Sequence, residues 1–423
     1  MKKYDNYKDS DIEWLGEIPN HWNLVRLRYL CDISTGNKDT INKEVDGKYP
    51  FYVRSKTIEK ISTYSFDEEA ILTPGDGDIC KIWHYVVGKF ECHQRVYKLS
   101  NFDKINGKFL YYYLIENFDK DVFKLSAKST VDSLRRPMFQ NFYVSFGTLE
   151  EQTLIANYLN HKTKQIDTLI SKKEQFISLL QEERTAVINQ AVTKGLDSSV
   201  KMKDSEIEWL GEIPEHWDIK KLKYLGNCQN GISEGAEFFG SGHPFVSYSD
   251  VYKNEILPSN VLGLANSNEK HQEHYSVEEN DVFFTRTSET IEEIGIASIC
   301  YQTIEKAVFA GFLIRFRPNK EMINKEFSKY YFRCFIPRTF FVKEMNLVTR
   351  ASLSQELLKR LPVLLPSINE QQNIASFLDK KTSEIDKVII KSQQEIELLK
   401  EYKTALISEV VTGKIDVREA ILN

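Results

Sequence analysis

Two long segments of the sequence, 149–197 and 368–416, show the apolar spacing of amphipathic helices. Their apolar positions recur mostly in steps of three, four or seven residues, and no Pro or Gly occurs across 151–192. About 40 residues at 1.5 Å each make a rod of roughly 60 Å. The stripes consist of Ile155, Leu159, Ile166, Leu169, Phe176, Leu180 and Val187 in the first segment and of Ile374, Leu378, Ile385, Val388, Leu398 or Leu399, and Leu406 in the second.

These stripes must be covered, so we expect the two helices to bury them on each other as an antiparallel coiled coil. The alternative is a pair of long core helices. Gly195 and Gly413 stand where C-terminal stops are expected. In either case the two segments predict a stiff spacer.

The stretches between the helices, 31–148 and 226–367, indicate mixed α/β structure. Short apolar or aromatic runs bounded by Gly and Pro predict strands, and two further segments have aromatic helical faces. The predicted strands include 49–53, 86–90, 244–246 and 282–284, and the predicted helices lie near 107–118 and 324–335.

The chain repeats itself with two different offsets. Residues 9–30 and 204–225 are identical at 15 of 22 positions, including two pairs of tryptophans, Trp14 with Trp209 and Trp22 with Trp217. The two helical segments are identical at 22 of 49 positions. Two near-identical frames therefore enclose two unlike inserts, which indicates a duplicated domain rather than a solenoid. The repeated tryptophans are predicted to be packing anchors.

Charge is distributed unevenly although the net charge is only −5, which excludes a wholly basic coat protein. Residues 231–305 hold 3 basic and 13 acidic residues, whereas 306–360 hold 12 basic and 4 acidic ones. Residues 81–148 hold 11 basic and 6 acidic residues. Four aromatic residues, Phe332, Phe335, Phe340 and Phe341, interleave with Arg333, Arg338 and Lys343. This pattern suits phosphate contacts with base-edge readout, and the alternative is a solvated charged face.

The second repeat extends backwards into the inserts, where Thr130-x-x-Ser133-Leu134 aligns with Thr349-x-x-Ser352-Leu353. The spacing from Ser352 to Gln355 suits a capping box, so we expect a helix start that favours a phosphate. The alternative is an ordinary capped helix. The candidate DNA-binding residues are Lys128, Thr130, Ser133, Arg135, Arg136, Arg286, Arg338, Lys343, Thr349, Arg350 and Ser352.

Motifs for catalysis are missing from the sequence. It contains no GxxxxGK[ST] loop and no Asn-Pro-Pro-Tyr or Asp-Pro-Pro-Tyr motif. Cys80, His84, Cys92 and His93 fit no standard zinc-finger spacing, so we expect no metal. The six cysteines form no CxxC pair, and neither an apolar run of 18 residues nor an N-terminal leader is evident. We therefore expect a cytoplasmic protein with reduced thiols and no membrane segment.

The repeated DSxIEWLGEIPxHW frames, the EQxxIAxxL starts of the helices and the unlike inserts resemble specificity subunits of type I restriction–modification systems. The resemblance covers essentially the whole chain. It implies a non-catalytic, DNA-binding subunit with an α+β fold, in which two globular target recognition domains are separated by two long antiparallel coiled-coil helices. The implied divisions are 1–148, 149–197, 198–367 and 368–423.

The resemblance also implies partners. Two methyltransferase subunits that bind S-adenosylmethionine would dock on the frames, and restriction subunits that use ATP and Mg would join them, with no cofactor on this chain. The candidate spacer and docking residues are Ile155, Leu159, Ile166, Ile374, Leu378 and Ile385. The target would be a bipartite, asymmetric double-stranded DNA site with half-site centres about 34 Å apart. The alternative is a solitary DNA-binding or coiled-coil scaffold protein.

Overall fold

The computed structural model describes residues 2–122, 133–288, 293–319, 322–345 and 351–420. The chain divides into two compact units, and both dividing points lie inside long helices. Unit 1 comprises residues 1–175 and 392–423, and unit 2 comprises residues 176–391. Each unit therefore contains one frame, one insert and a part of each long helix.

The described part of unit 1 has ten strands and begins with the hairpin of the frame. Its strands are β1 (Tyr7–Asp9), β2 (Glu17–Pro19), β3 (Asn23–Arg26), β4 (Asp32–Thr35), β5 (Tyr49–Tyr52), β6 (Glu59–Ile61), β7 (Phe66–Pro74), β8 (His84–Cys92), β9 (Val96–Ser100) and β10 (Tyr143–Phe146). Its helices are α1 (Gly107–Val122), α2 (Arg136–Asn141) and the first part of α3 (Leu149–Lys194).

The insert of unit 1 forms a six-stranded sheet in the order β4-β9-β7-β8-β5-β6. All neighbouring strands are antiparallel except β5 and β8. Frame strand β3 pairs with β10, which immediately precedes α3. The two ends of the insert are thus held together beside the long helix.

Unit 2 has a similar arrangement, but its strands are shorter and more often interrupted. Its strands are β11 (Met202–Asp204), β12 (Glu212–Pro214), β13 (Asp218–Lys221), β14 (Gly226–Asn230), β15 (Phe239–Val246), β16 (Leu264–Ala265), β17 (Val282–Thr285), β18 (Thr287–Ser288), β19 (Ala297–Ile299), β20 (Val308–Phe309), β21 (Leu313–Pro318), β22 (Ala351–Ser352) and β23 (Pro362–Leu365). Its helices are α4 (Tyr248–Lys253), α5 (Glu269–His274), α6 (Lys325–Tyr331), α7 (Phe335–Glu344), α8 (Gln355–Lys359) and the first part of α9 (Ile368–Val411).

The two inserts share a strand order although their sequences differ. In unit 2 the order β14-β21-β17-β19 matches β4-β9-β7-β8 of unit 1, and β15 pairs in parallel with β20 as β5 does with β8. The single strand β8 corresponds to two short strands, β19 and β20. The mixed fold predicted from the sequence is confirmed, and the duplication extends to the inserts.

The long helices run antiparallel within each unit, as predicted. In unit 1, Asp167 on α3 pairs with Lys403 on α9 at 2.6 Å, and Lys173 pairs with Glu395 at 2.5 Å. As the residue number increases along α3, the number of its partner on α9 decreases, which is the pattern of antiparallel helices. In unit 2, Leu180 packs with Ile385 and Ile389, and Arg184 pairs with Asp386 at 3.1 Å.

The predicted apolar stripe is only partly correct. Its members Ile155, Leu159, Ile166, Leu180, Ile374, Leu378, Ile385 and Leu406 are buried. Val187 and Leu399, the alternative to Leu398, are half-buried against the cores of units 2 and 1. However, Leu169, Phe176, Val388 and Leu398 are 44%, 45%, 42% and 63% exposed, and Ile389 and Ile396 are buried instead. A straight helix of 3.6 residues per turn drifts from a strict seven-residue repeat, so the buried face moves to neighbouring positions.

The repeated tryptophans are packing anchors, as predicted. Trp22 and Trp217 are fully buried in the hydrophobic cores of units 1 and 2, and Trp14 and Trp209 are half-buried against the same cores. Gly195 and Gly413 follow the ends of α3 and α9 with a φ of +76°, a conformation that favours glycine. In unit 1, a Cβ on Gly413 would lie 2.5 Å from the Pro19 ring, so this helix end approaches the frame closely.

Candidate nucleic-acid interface

A backbone junction in unit 1 brings the end of β7 to the segment that precedes α2. The Leu134 N–H donates to the Gly75 carbonyl oxygen at 2.7 Å, and Asp76 forms a β-bridge with Ser133. We call this the Ser133 junction. It places the candidates Ser133 and Arg135, both exposed, beside the loop that follows β7.

Two arginines converge on the carboxylate of the Ser133 junction. Arg54 and Arg95 contact the two carboxylate oxygens of Asp76 at 2.9 Å and 3.0 Å. Burial alone would raise the pKa of Asp76, but the two guanidinium groups outweigh it and lower this pKa below its usual value. The side chains of Arg54 and Arg95 remain 43% and 61% exposed, so the cluster presents positive charge to solvent.

Unit 2 contains the same junction built from different residues. The Leu353 N–H donates to the Arg286 carbonyl oxygen at 2.7 Å, and Thr287 pairs with Ser352 in the short ladder of β18 and β22. We call this the Ser352 junction. The structure thus brings together the candidates Arg286 and Ser352. The half-buried Arg286 side chain donates to the Gly311 carbonyl oxygen at 3.4 Å.

The predicted helix starts at Ser133 and Ser352 are wrong. Helix α2 begins at Arg136, and helix α8 is capped by Ser354, whose hydroxyl accepts the Leu357 N–H at 3.1 Å. The junctions use the backbone of Ser133 and Ser352 for strand-like pairing, and each helix begins three residues later, at Arg136 and at Gln355. The two helices have only six and five residues, which makes them weak anion sites.

The aromatic residues of the basic region also differ from the prediction. Phe332, Phe340 and Phe341 are buried in unit 2 and are unavailable for stacking on bases, and Phe335 is half-buried against the same core. The Arg338 guanidinium donates to the Ile294 carbonyl oxygen at 2.5 Å, whereas Lys343 on α7 is exposed. The apolar spacing of a short amphipathic helix explains the interleaved pattern without a base-stacking role.

The remaining candidates have mixed positions. The Arg136 guanidinium donates to the Ile33 carbonyl oxygen. Lys128, Thr130, Thr349 and Arg350 lie outside the described residues. The spacer candidates Ile155, Leu159, Ile166, Ile374, Leu378 and Ile385 are buried within their own units, so any docking surface on the helices must consist of other residues.

The Cys80, His84, Cys92 and His93 set does not converge. Cys92 is fully buried, and His93 Nδ1 accepts the Arg95 N–H at 3.0 Å. Burial lowers the pKa of His84, which lies against the Tyr52 ring. Among the described residues, no group of three or more His, Cys, Asp or Glu side chains is arranged to hold a metal ion. Within those same ranges, no helix has the length and apolarity needed to cross a membrane.

Sequence reasoning did not identify Arg54, Asp76 and Arg95 as a cluster. About 20 residues of sequence separate each of them from the next, and only the pairing of β7 with its neighbours and the Ser133 bridge brings them together. No local motif marks them. The excess of basic residues in 81–148 was the one available signal, and it included Arg95 only.

Comparison with known proteins accounts for the duplicated arrangement. The family model of the type I restriction modification DNA specificity domain matches twice, over residues 19–178 and 214–398. The two matches together span more than three quarters of the chain. The chain belongs to this family. The specificity-subunit family and the non-catalytic role predicted from the sequence are thereby confirmed.

Named relatives of this family are similar over most of their length. The chain is 24% identical over 385 residues to the EcoDI specificity subunit of Escherichia coli, covering 86% of this chain and 82% of the relative. It is 23% identical over 442 residues to the MjaVIII specificity subunit of Methanocaldococcus jannaschii, covering 97% of each.

Solved structures show the same fold. A chain from a study of complex assembly and conformational transition of the type I R-M system aligns with a TM-score of 0.71 at 12% identity, covering 94% of this chain and 99% of that one. The HsdS subunit of Thermoanaerobacter tengcongensis aligns with a TM-score of 0.55 at 13% identity, covering 94% of this chain and 98% of that one.

Proposed function

We propose that each unit of this specificity subunit reads one part of a bipartite, asymmetric DNA target through its junction. The observation that carries this proposal is that the two junctions share their backbone hydrogen bonds but differ in side chains. Gly75 and Asp76 in unit 1 stand where unit 2 has Arg286 and Thr287. A common backbone with different side chains is what two readers of different sequences need.

The chemistry of the Ser133 junction suits a DNA surface. Arginine guanidinium groups bind phosphates and can bond two acceptors on guanine, while a carboxylate can accept from the cytosine amino group. Arg54 and Arg95 supply the first property, and Asp76 supplies the second while orienting both arginines. At the Ser352 junction, the hydroxyl-bearing Thr287 and Ser352 lie beside Arg286.

The duplicated frames favour two copies of one partner. A chain with an internal repeat presents similar surfaces twice, and such pseudo-symmetry suits binding of two identical subunits. The partners would be two methyltransferase subunits, with restriction subunits completing the complex. S-adenosylmethionine would then be bound by the methyltransferase subunits, and ATP and Mg by the restriction subunits.

The test is a genome-wide map of methylated adenines in the host with the gene intact, deleted and restored. We expect one split motif to disappear on deletion and to return on restoration. A restored gene that carries Asp78→Asn, an exposed position next to the Ser133 junction, is the control and should return the same motif. An unchanged map would contradict the proposal and favour a solitary DNA-binding or scaffold protein.

A further inference from the structure

A repeated surface of the frames has no explanation in the fold. Each frame ends in a 3-10 turn, Leu27–Tyr29 in unit 1 and Leu222–Tyr224 in unit 2. The leucine of each turn is fully buried, whereas Tyr29 and Tyr224 are 65% and 60% exposed. A single exposed aromatic side chain is ordinary on a protein surface, but here an exposed tyrosine recurs at the equivalent place in both units.

A cation accompanies each exposed tyrosine. The Arg28 guanidinium lies 5.2 Å from the centre of the Tyr29 ring, and the Lys223 ammonium lies 4.8 Å from that of Tyr224. Arg28 and Lys223 are themselves exposed. The two frames thus keep the positive charge while the side chain changes from Arg to Lys.

The turn is attached to the segment that follows each junction. In unit 1 the Leu27 N–H donates to the Phe142 carbonyl oxygen at 2.8 Å, and the turn packs against α2. In unit 2 the Leu222 N–H donates to the Leu361 carbonyl oxygen at 2.9 Å, and the turn packs against α8. The exposed pair therefore lies next to the short helix that leaves the junction.

These adjoining segments are rich in basic residues and poor in acidic ones. In unit 1, 23–31 and 133–143 contain four arginines and no acidic residue. In unit 2, 218–225 and 352–365 contain five basic and two acidic residues. The basic residues are Arg26, Arg28, Arg135 and Arg136 in unit 1 and Lys220, Lys221, Lys223, Lys359 and Arg360 in unit 2.

We propose that the 3-10 turn and the adjoining short helix form, in each unit, a binding face for the sugar–phosphate backbone of duplex DNA. This inference rests on the proposed function and extends it to contacts that do not depend on sequence. Base readers must differ between two unlike half-sites, whereas the phosphate backbone is the same in both. A face repeated in both units, next to junctions that differ, has the property expected of a backbone contact.

The test uses the full chain with Arg28→Gln and Lys223→Gln combined, which removes one exposed charge from each unit. The matched control combines Lys172→Gln and Lys387→Gln, two exposed lysines on the long helices. Binding of a fluorescent 40-base-pair duplex of arbitrary sequence is measured by anisotropy between about 50 and 250 mM NaCl. Each lost phosphate contact should lower the slope of log K against log salt by about 0.9.

We expect the Arg28 and Lys223 variant to lose about 1.8 from this slope and to bind several-fold more weakly at low salt, while the control keeps both values. In the host, the variant should methylate the same motif as the wild type, but less completely. An unchanged slope would overturn the proposal. An unchanged slope with lost methylation would assign the face to a protein partner and would equally overturn it. Failure of the proposed function is distinct, because the wild-type gene would then have no motif at all.

Discussion

Trp22 donates its indole N–H to the carboxylate of Glu151 at 3.1 Å, and this contact ties the frame of unit 1 to the first turn of α3. His21 contacts the second oxygen of the same carboxylate at 3.0 Å. The repeat preserves the arrangement in unit 2, where Trp217 donates to Glu370 at 2.9 Å. The histidine, tryptophan and glutamate common to both repeats thus form one structural contact that fixes each frame to its long helix.

Removing the carboxylate of this contact should destabilise unit 1. Glu151 is buried and also accepts the Tyr4 hydroxyl at 2.6 Å, so Glu151→Gln leaves buried donors without a full set of acceptors. We expect a loss of about 1–3 kcal/mol in the free energy of unfolding, measured with urea and tryptophan fluorescence. The control Glu150→Gln changes the neighbouring exposed carboxylate and should have little effect. Equal midpoints for the two variants would contradict the prediction.

The corrected helix face predicts unequal effects of two apolar truncations on α3. Ile166 is 7% exposed and packs in the core of unit 1, whereas Leu169 is 44% exposed. Ile166→Ala should therefore cost about 2–4 kcal/mol and Leu169→Ala less than about 1 kcal/mol in urea unfolding. Similar losses for both variants would contradict this prediction and would indicate that the buried positions follow a strict seven-residue repeat.

Glu116 should make unit 1 less stable at high pH. Burial raises its pKa from 4.5 to about 7, against the opposing effect of Lys120. Because the pKa is higher in the folded state, the stabilising contribution is complete below pH 4.5 and is lost as the pH rises through 7. The free energy of unfolding should therefore fall between pH 5 and 8, by about 1–2 kcal/mol after allowance for partial exposure.

Glu116→Gln provides the comparison for this pH effect, because its side chain cannot ionise. The difference in the free energy of unfolding between wild type and Glu116→Gln should change with pH over this range. Glu17→Gln, which replaces an exposed carboxylate on β2, is the control and should track the wild type. A pH-independent difference would show that burial of Glu116 does not carry the effect.

Neutralising Asp76 should strengthen DNA binding that does not depend on sequence. The substitution Asp76→Asn removes a negative charge from the Ser133 junction. It also removes the ion pairs of Arg54 and Arg95, so that their guanidinium groups can bind DNA phosphates instead. We expect several-fold tighter binding of an arbitrary duplex at about 50 mM salt, measured by anisotropy. Asp78→Asn removes the same charge two residues away. If both variants gain equally, the Asp76 cluster has no special role.

Exchange of one insert should change one half of the target. Each unit has its own core and its own frame. Replacing residues 31–148 with the first insert of another specificity subunit should alter one part of the methylated motif and leave the other part unchanged. A methylation map of the host with the exchanged gene checks this. Changes in both parts would exclude independent readers.

Elements that depend on local pattern or on repetition could be predicted from the amino-acid sequence alone. Sequence identity between the two halves of the chain reveals the frames and the unlike inserts. The spacing of apolar residues predicts the long helices. The packing role of Trp22 and Trp217 followed from their recurrence. The resemblance carried by the frame motifs also identified the family, because these motifs recur twice at matching places.

Contacts between residues that are distant in the sequence could be found only in the folded chain. Arg54 and Arg95 reach Asp76 because strands distant in sequence pair, and no local signal encodes this. Ser133 and Ser352 were predicted to cap helices, but the junctions use their backbone in strand-like pairs. Some of the buried positions on the two long helices also differ from those that the apolar spacing predicts. Local periodicity defines an element, whereas the face it buries and the partners of its side chains depend on long-range packing.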